Sequence, residues 1–227
     1  MAAGDAPIRA VLFDHDGTLV DSEPVHLALW QEVLAPLGVA LDLPTYKACH
    51  AGIPTPANAV DMVRRFGLAL TPQTLAGAKH EATARWLARQ PFPLMPSARG
   101  AVQRLRAAGL RLAIVTGAEG AGARRTLRGH GLEGLFDTVV SGDDVARSKP
   151  APDCYRLALE RLGLPAEACV ALEDTAAGLH AATEAGLRAL AIPHALSAHQ
   201  DLGRAHLRVA DLGEAADWVL ARSAARC

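Results

Sequence analysis

Two acids, Asp14 and Asp16, stand one residue apart near the start of this 227-residue chain, with Gly17 after them. Further on come Thr116-Gly117, then Lys149, then the adjacent pair Glu173-Asp174. Four carboxylates gathered at one place repel each other unless some are protonated or a cation lies between them. Oxygen-only donors favour a hard ion, Mg²⁺ above all. A lysine beside acids and metal has a natural partner in phosphate, and the hydroxyl and backbone N–H groups at Thr116-Gly117 can bind phosphate oxygens. An aspartate can accept a phosphoryl group covalently, which splits one hard displacement into two easier ones. A second carboxylate nearby can protonate the departing alcohol and later deprotonate water. Metal and lysine would offset the charge on the group in transit.

For these residues to meet, the chain must bring four separate places together. Short apolar runs at residues 9–14, 110–116, 138–141, 169–172, 188–192 and 207–210 read as buried strands, and several close on the polar residues just named. Amphipathic stretches at 98–108, 120–130, 152–162 and 175–185 separate them, most with a glycine just past the end. The alternation predicts an α/β fold with a Rossmann-like parallel sheet core covered on both faces. In such sheets ligands bind beyond the carboxyl ends of the strands, where Asp14, Asp16, Thr116, Glu173 and Asp174 would converge, with Lys149 on a loop after the third strand. Residues 23–90 read differently: helical patterning at 26–37, 43–51, 57–66 and 72–90, with no strand. This gives a core from 1–22 and 91–227 and an inserted all-helical domain at 23–90. Residues 91–96, rich in proline, link back to the sheet. The segment 210–227 is expected to end an edge strand and add a covering helix.

Composition narrows the partners. Half the residues are hydrophobic, enough for a core plus a sizeable insertion. Formal net charge is −1 from 23 basic and 24 acidic residues, and no basic stretch suggests nucleic acid or an anionic membrane. No uncharged apolar run reaches the roughly 18 residues of a membrane span. The N-terminus lacks the regions of a signal peptide, so a cytoplasmic home is the expectation. Cys49, Cys154, Cys169 and Cys227 form no zinc spacing and read as incidental thiols. A monomer is the default.

Taken in order, the motifs resemble the haloacid dehalogenase superfamily of hydrolases, and its phosphatase branch with a helical cap in particular. They are Asp14-His-Asp16-Gly-Thr18-Leu-Val-Asp21-Ser, Val115-Thr116-Gly117, Ser148-Lys149-Pro150-Ala-Pro152-Asp153 and Leu172-Glu173-Asp174-Thr175-Ala-Ala-Gly178. The resemblance runs from about residue 8 to 195 and is nearest to phosphoglycolate phosphatase and β-phosphoglucomutase-like proteins. It implies that Asp14 is nucleophile and metal ligand, and that Asp16 is the general acid/base and lends a backbone carbonyl to the metal. It implies that Thr116, Gly117 and Lys149 hold the phosphoryl group, and that Asp174 binds Mg²⁺ with help from Glu173. The helical insertion would then be the cap that closes over the site and selects a small phosphorylated metabolite, such as a sugar phosphate or phosphoglycolate.

Other residues have a plainer alternative. His15, on an extended strand, would point away from its two acidic neighbours and serve in packing. Asp153 would start a helix, and Ser148 could be ordinary loop chemistry. In the cap, Glu23, His26, Lys47, His50 and Lys79 are candidates for substrate contact, each with a helix-surface role as its rival. Residues 52–55 are expected to form a specificity loop, and Trp30, Trp86 and Trp218 to pack. A phosphomutase resembles this chain around 22–26, but such relatives carry an arginine where Thr55 stands. Dehalogenases of the superfamily need no metal and lack the second aspartate. A non-enzymatic protein that binds a phosphorylated metabolite is the remaining alternative.

Overall fold

The computed structural model describes residues 6–223, so residues 1–5 and 224–227, with Cys227 and the end of the expected 210–227 segment, lie outside it. Among the described residues there are six strands: β1 (Ala10–Phe13), β2 (Arg111–Val115), β3 (Thr138–Val140), β4 (Cys169–Glu173), β5 (Arg188–Ala191) and β6 (Leu207–Arg208). All pair in parallel, in the order β3-β2-β1-β4-β5-β6. The winding direction reverses between β1 and β4, the place where an open α/β sheet leaves a crevice beyond its strand ends.

The strand residues divide by the two-residue period of the pleat. Val11, Phe13, Leu112, Ile114, Val170, Leu172 and Leu190 face one side, with residues of α5 (Ala98–Ala107), α6 (Gly120–Gly129) and α9 (Leu212–Leu220). Ala10, Leu12, Ala113, Val115, Cys169, Ala171 and Ala189 face the other, with α7 (Asp153–Leu162) and α8 (Ala176–Glu184). The sheet is thus buried on both faces, which is why its strands read as nearly unbroken apolar runs.

Between β1 and α5 the chain forms α1 (Glu23–Leu34), α2 (Leu43–Cys49), α3 (Thr55–Phe66) and α4 (Pro72–Arg89). These build a helical body around Trp30, Leu34, Tyr46, Met62 and Leu75. Helices α1 and α4 also give Val25, Leu29, Ala82 and Leu87 to the core under the sheet. Helix α1 starts three residues before the expected position. Pro24 is tolerated in its first turn and Glu23 lies at the positive end of the helix dipole. Its last expected turn is a separate 3₁₀ turn, Ala35–Leu37, closed by Gly38 in a left-handed conformation. The two connections to the body run side by side. Asp21 N–H donates to the Pro93 carbonyl (2.8 Å), Met95 N–H donates to the Leu19 carbonyl (3.0 Å), and Val20 bridges Leu94. No helix among the described residues is long and apolar enough to cross a membrane.

The turn after β3 is tied to α7 by Asp144. Ser141 donates to its Oδ2 from N–H (2.9 Å) and Oγ (2.8 Å), and Arg161 donates to Oδ1 (2.8 Å). The Arg161 guanidinium holds the Asp144 carboxyl down to about 2. A carboxyl whose folded value lies below its unfolded value of about 4 stabilises the fold above that pH, and the gain is lost as pH falls toward 2. The side chain is 28% exposed, so screening leaves about 1 kcal/mol. Asp144→Asn is expected to unfold in less urea at pH 6, with the gap to wild type narrowing by about half near pH 3. A gap independent of pH would contradict this account.

Candidate functional site

Two adjacent strands deliver the acids and a third, beside β1, delivers a hydroxyl. Asp14 follows β1, Thr116 follows β2, Glu173 ends β4 and Asp174 follows it. Carboxylate oxygens of Asp14, Glu173 and Asp174 lie within 4.8 Å of one another, and all three residues are buried. Lys149, from the loop before α7, reaches beneath them. Its Nζ donates to Asp14 Oδ1 (2.6 Å), Glu173 Oε1 (2.6 Å) and the Val115 carbonyl (2.7 Å). Burial pushes the Asp14 carboxyl well above the usual carboxylate range, with Lys149 opposing the shift. Glu173 is raised by burial in the same way. Burial alone would lower the Lys149 ammonium, but the two carboxylates outweigh it and keep the lysine charged.

The second oxygens of two acids are left over. Asp14 Oδ2 and Glu173 Oε2 are buried with no hydrogen-bond partner among the described residues. Buried acceptors of this kind are costly unless something satisfies them. Three carboxylates with two unspent oxygens fit a hard divalent cation such as Mg²⁺. Two glycines make room for the cluster. A Cβ on Gly178 would stand 2.0 Å from Glu173 Oε2, and one on Gly17, whose φ is +86°, would stand 2.6 Å from Asp174 Oδ2.

Asp16 stands apart from the trio. Its Oδ2 lies 3.2 Å from His15 Nδ1 and accepts from Thr116 Oγ1 (3.4 Å), and its Oδ1 lies 3.7 Å from His26 Nε2. Burial by itself pushes this carboxyl up, but the imidazoles of His15 and His26 overcome that and hold it well below the usual range. The expectation that His15 points away from its acidic neighbours is corrected here. Strand β1 ends at Phe13, and residues 14–20 form a tight turn in which Leu19 and Val20 N–H both donate to the His15 carbonyl. Strand alternation therefore stops before His15. Thr116 Oγ1 also accepts from Ala118 N–H (3.0 Å), and the Gly117 carbonyl accepts from Ser148 Oγ (3.3 Å).

The helical body contributes His26 directly to this group and Lys79 at one remove. Lys79 Nζ lies 3.1 Å from His26 Nδ1, donates to Thr83 Oγ1 (3.0 Å) and sits over the Trp30 ring. Burial pushes its ammonium down to about 8. Glu23 is engaged by its own body: Oε2 accepts from Tyr46 OH (2.5 Å) and Oε1 from Gly52 N–H (3.0 Å). His50 pairs with Asn58 (3.0 Å) at the end of α2. Lys47 lies partly exposed on α2, and Thr55 is the first residue of α3.

Two side chains not singled out in the sequence touch the acids. Tyr155 OH donates to Glu173 Oε1 (2.6 Å), and its ring lies beneath the Lys149 ammonium. His194 Nε2 lies 3.0 Å from Asp174 Oδ2. The rule that singled out the acids would have found His194, which follows the β5 run by a few residues. Tyr155 carries no such signal, because an aromatic on the inner face of a helix reads as core.

The family model for haloacid dehalogenase-like hydrolases matches residues 8–186. Protein CbbY of Cereibacter sphaeroides is 34% identical over 208 residues, 87% of this chain and 90% of that protein. Fructose-1-phosphate phosphatase YqaB of Escherichia coli K12 is 36% identical over 182 residues, 79% of this chain and 94% of that protein. Solved structures of CbbY from Rhodobacter sphaeroides, one with phosphate and one with xylulose-(1,5)bisphosphate, superimpose with a TM-score of 0.81 at 32% identity, covering 91% of this chain and 96% of theirs.

Glycine at 178 gives a direct test of the cluster. In a helix, Gly→Ala is normally stabilising by about 1 kcal/mol. Here the added methyl must displace Glu173, so Gly178→Ala is expected to lower the melting temperature and weaken Mg²⁺ binding by about tenfold or more, read by titration calorimetry. A more stable protein with unchanged affinity would refute the packing argument.

Proposed function

The chain belongs to the haloacid dehalogenase-like hydrolase family, in its phosphatase branch, and we propose that it hydrolyses a small sugar-phosphate monoester through a phosphorylated Asp14. The observation that carries this reading is the asymmetry of Asp14: one oxygen is clamped by Lys149, and the other, at the tip of the central strand, has no partner. A carboxylate held by one oxygen is oriented for attack by the other. The sugar-phosphate class is supported by the names of the relatives, a fructose-1-phosphate phosphatase and a protein solved with xylulose-(1,5)bisphosphate.

In the first step Asp14 Oδ2 forms a bond to phosphorus and the ester P–O bond breaks. Asp16 gives a proton to the departing sugar oxygen. His15 and His26 favour the carboxylate form in which Asp16 is left, and the proton that it gives up is regained from water in the second step. In the second step Asp16 takes a proton from water, whose oxygen attacks phosphorus and frees orthophosphate and the Asp14 carboxylate. Thr116 Oγ1 and the Gly117 N–H hold the phosphoryl oxygens, and the Lys149 ammonium, bound to Asp14, offsets their charge. Asp14, Glu173 and Asp174, with the Asp16 carbonyl, would hold Mg²⁺, which when bound offsets negative charge on the phosphoryl group. Residues 23–90 act as the cap: they exclude water and select the sugar, with His26, Lys79 and Glu23 nearest to it.

The test is orthophosphate release from a panel of pentose, hexose and polyol phosphates. Release is expected with Mg²⁺ and not with EDTA, and Asp14→Asn is expected to lose at least about 10³-fold in kcat. Mass spectrometry under turnover should find the phosphoryl group on Asp14. Full activity in Asp14→Asn, or an adduct elsewhere, would defeat the mechanism.

A further inference from the structure

One loop of the sheet domain touches both the helical body and the acidic cluster. It follows β5 and runs over residues 193–200. Ser197 closes it as a compact turn: its buried Oγ accepts from His194 N–H (3.2 Å), and the N–H groups of Ser197 and Ala198 donate to the His194 carbonyl (3.0 and 2.9 Å). Leu196 N–H donates to His194 Nδ1 (3.3 Å). That contact makes Nδ1 the acceptor, so Nε2 carries the proton and donates to Asp174 Oδ2 at 3.0 Å. The imidazole is wedged tightly, since a Cβ on Gly17 would come within 2.9 Å of Nε2.

The same loop faces the other way as well. The Leu196 side chain packs against the apolar core of the helical body, the cluster built on Trp30, Tyr46 and Met62. Gln200 Oε1 accepts from Ala176 N–H (2.9 Å) at the start of α8. The Gly52 turn of the body lies on this platform, where an added Cβ would meet Thr175 Cγ2 at 3.2 Å and Gln200 Nε2 at 3.6 Å. Leu196 and His194 are therefore joined by a hydrogen bond from the Leu196 N–H to the His194 imidazole, while one side chain packs on the body and the other binds Asp174.

We propose that this loop couples seating of the helical body to the geometry of the cation site, with His194 as a positioning residue for Asp174 and Leu196 as the anchor that keeps His194 in place. The proposal rests on the reading of Asp14, Glu173 and Asp174 as cation ligands. When the body is seated, Leu196 is held, its N–H fixes the imidazole, and the imidazole fixes the carboxylate. Coupling of this kind is reciprocal, so a cation at Asp174 tightens the seating of the body.

The test is Mg²⁺ titration calorimetry on the full chain, joined to amide hydrogen exchange. Leu196→Ala touches none of the acids, yet it is expected to weaken Mg²⁺ binding about threefold. His194→Ala is expected to weaken it about tenfold, and His194→Gln, which keeps an N–H donor, to recover part of that loss. The double variant Leu196→Ala/His194→Ala should bind as His194→Ala alone, because both act through one path. In wild type, Mg²⁺ should slow exchange at residues 50–54 as well as at 193–200, and this slowing at 50–54 should vanish in His194→Ala. Wild-type affinity in Leu196→Ala, or losses that simply add in the double variant, would overturn the coupling. Absence of Mg²⁺ binding by wild type would instead defeat the cation-site reading, and the coupling with it.

Discussion

Like charges crowded in a buried place are the constraint on which this structure is built. Asp14, Glu173 and Asp174 are driven together because β1 and β4 are neighbours that end at the same level. Repulsion and desolvation both act against their ionisation. Lys149 answers with an ammonium shared between two of them and a backbone carbonyl. Asp14 Oδ2 and Glu173 Oε2 stay unsatisfied by protein among the described residues. The fold thus holds a deficit of positive charge at the one spot where three strand ends meet, and a phosphoryl group in transit with its cation is suited to fill it.

The sheet can sustain this arrangement because it is rigid on both faces. On the side of α7 and α8 the strands present mostly alanine, with cysteine, leucine and valine, so helices sit close and Tyr155 is carried in under Lys149. On the other side larger residues such as Phe13, Leu112 and Ile114 fill the space under α5, α6 and α9. Strand ends held by such packing move little, which suits donors and acceptors that must sit at fixed distances. The helical body meets the site directly through His26 and at one remove through Lys79.

Much of this was legible in the residues alone. Unbroken apolar runs such as Ala10–Phe13 and 169–172 announced buried parallel strands, and the polar residues that closed them pointed to a shared site. What escaped had physical reasons. His15 lies beyond the strand, which ends with the last apolar residue, Phe13, so its direction is set by the turn at Gly17 and not by strand alternation. Tyr155 looks like core and is core, and only its hydroxyl reaches the acids. Glu23, after the first motif, reads as a candidate for substrate contact, but both its oxygens are taken by Tyr46 and Gly52, partners far along the chain. His194, by contrast, follows the apolar run 188–192 and was open to the rule that found the acids; only the Ser197 contact that shapes its loop is encoded by no periodicity.

The paired connections to the helical body carry a consequence for how the chain reaches its native state. Leu19–Asp21 and Pro93–Met95 lie hydrogen-bonded to each other, so the long excursion begins and ends at touching backbone positions. Alignment of β1 with β2 would otherwise require closure of a very long flexible segment, with a matching entropic cost. Once the four helices have docked on one another, that cost has largely been met, and the two strands are delivered to each other as near neighbours. Local helical assembly thereby lowers the effective contact order of the most central pairing in the molecule.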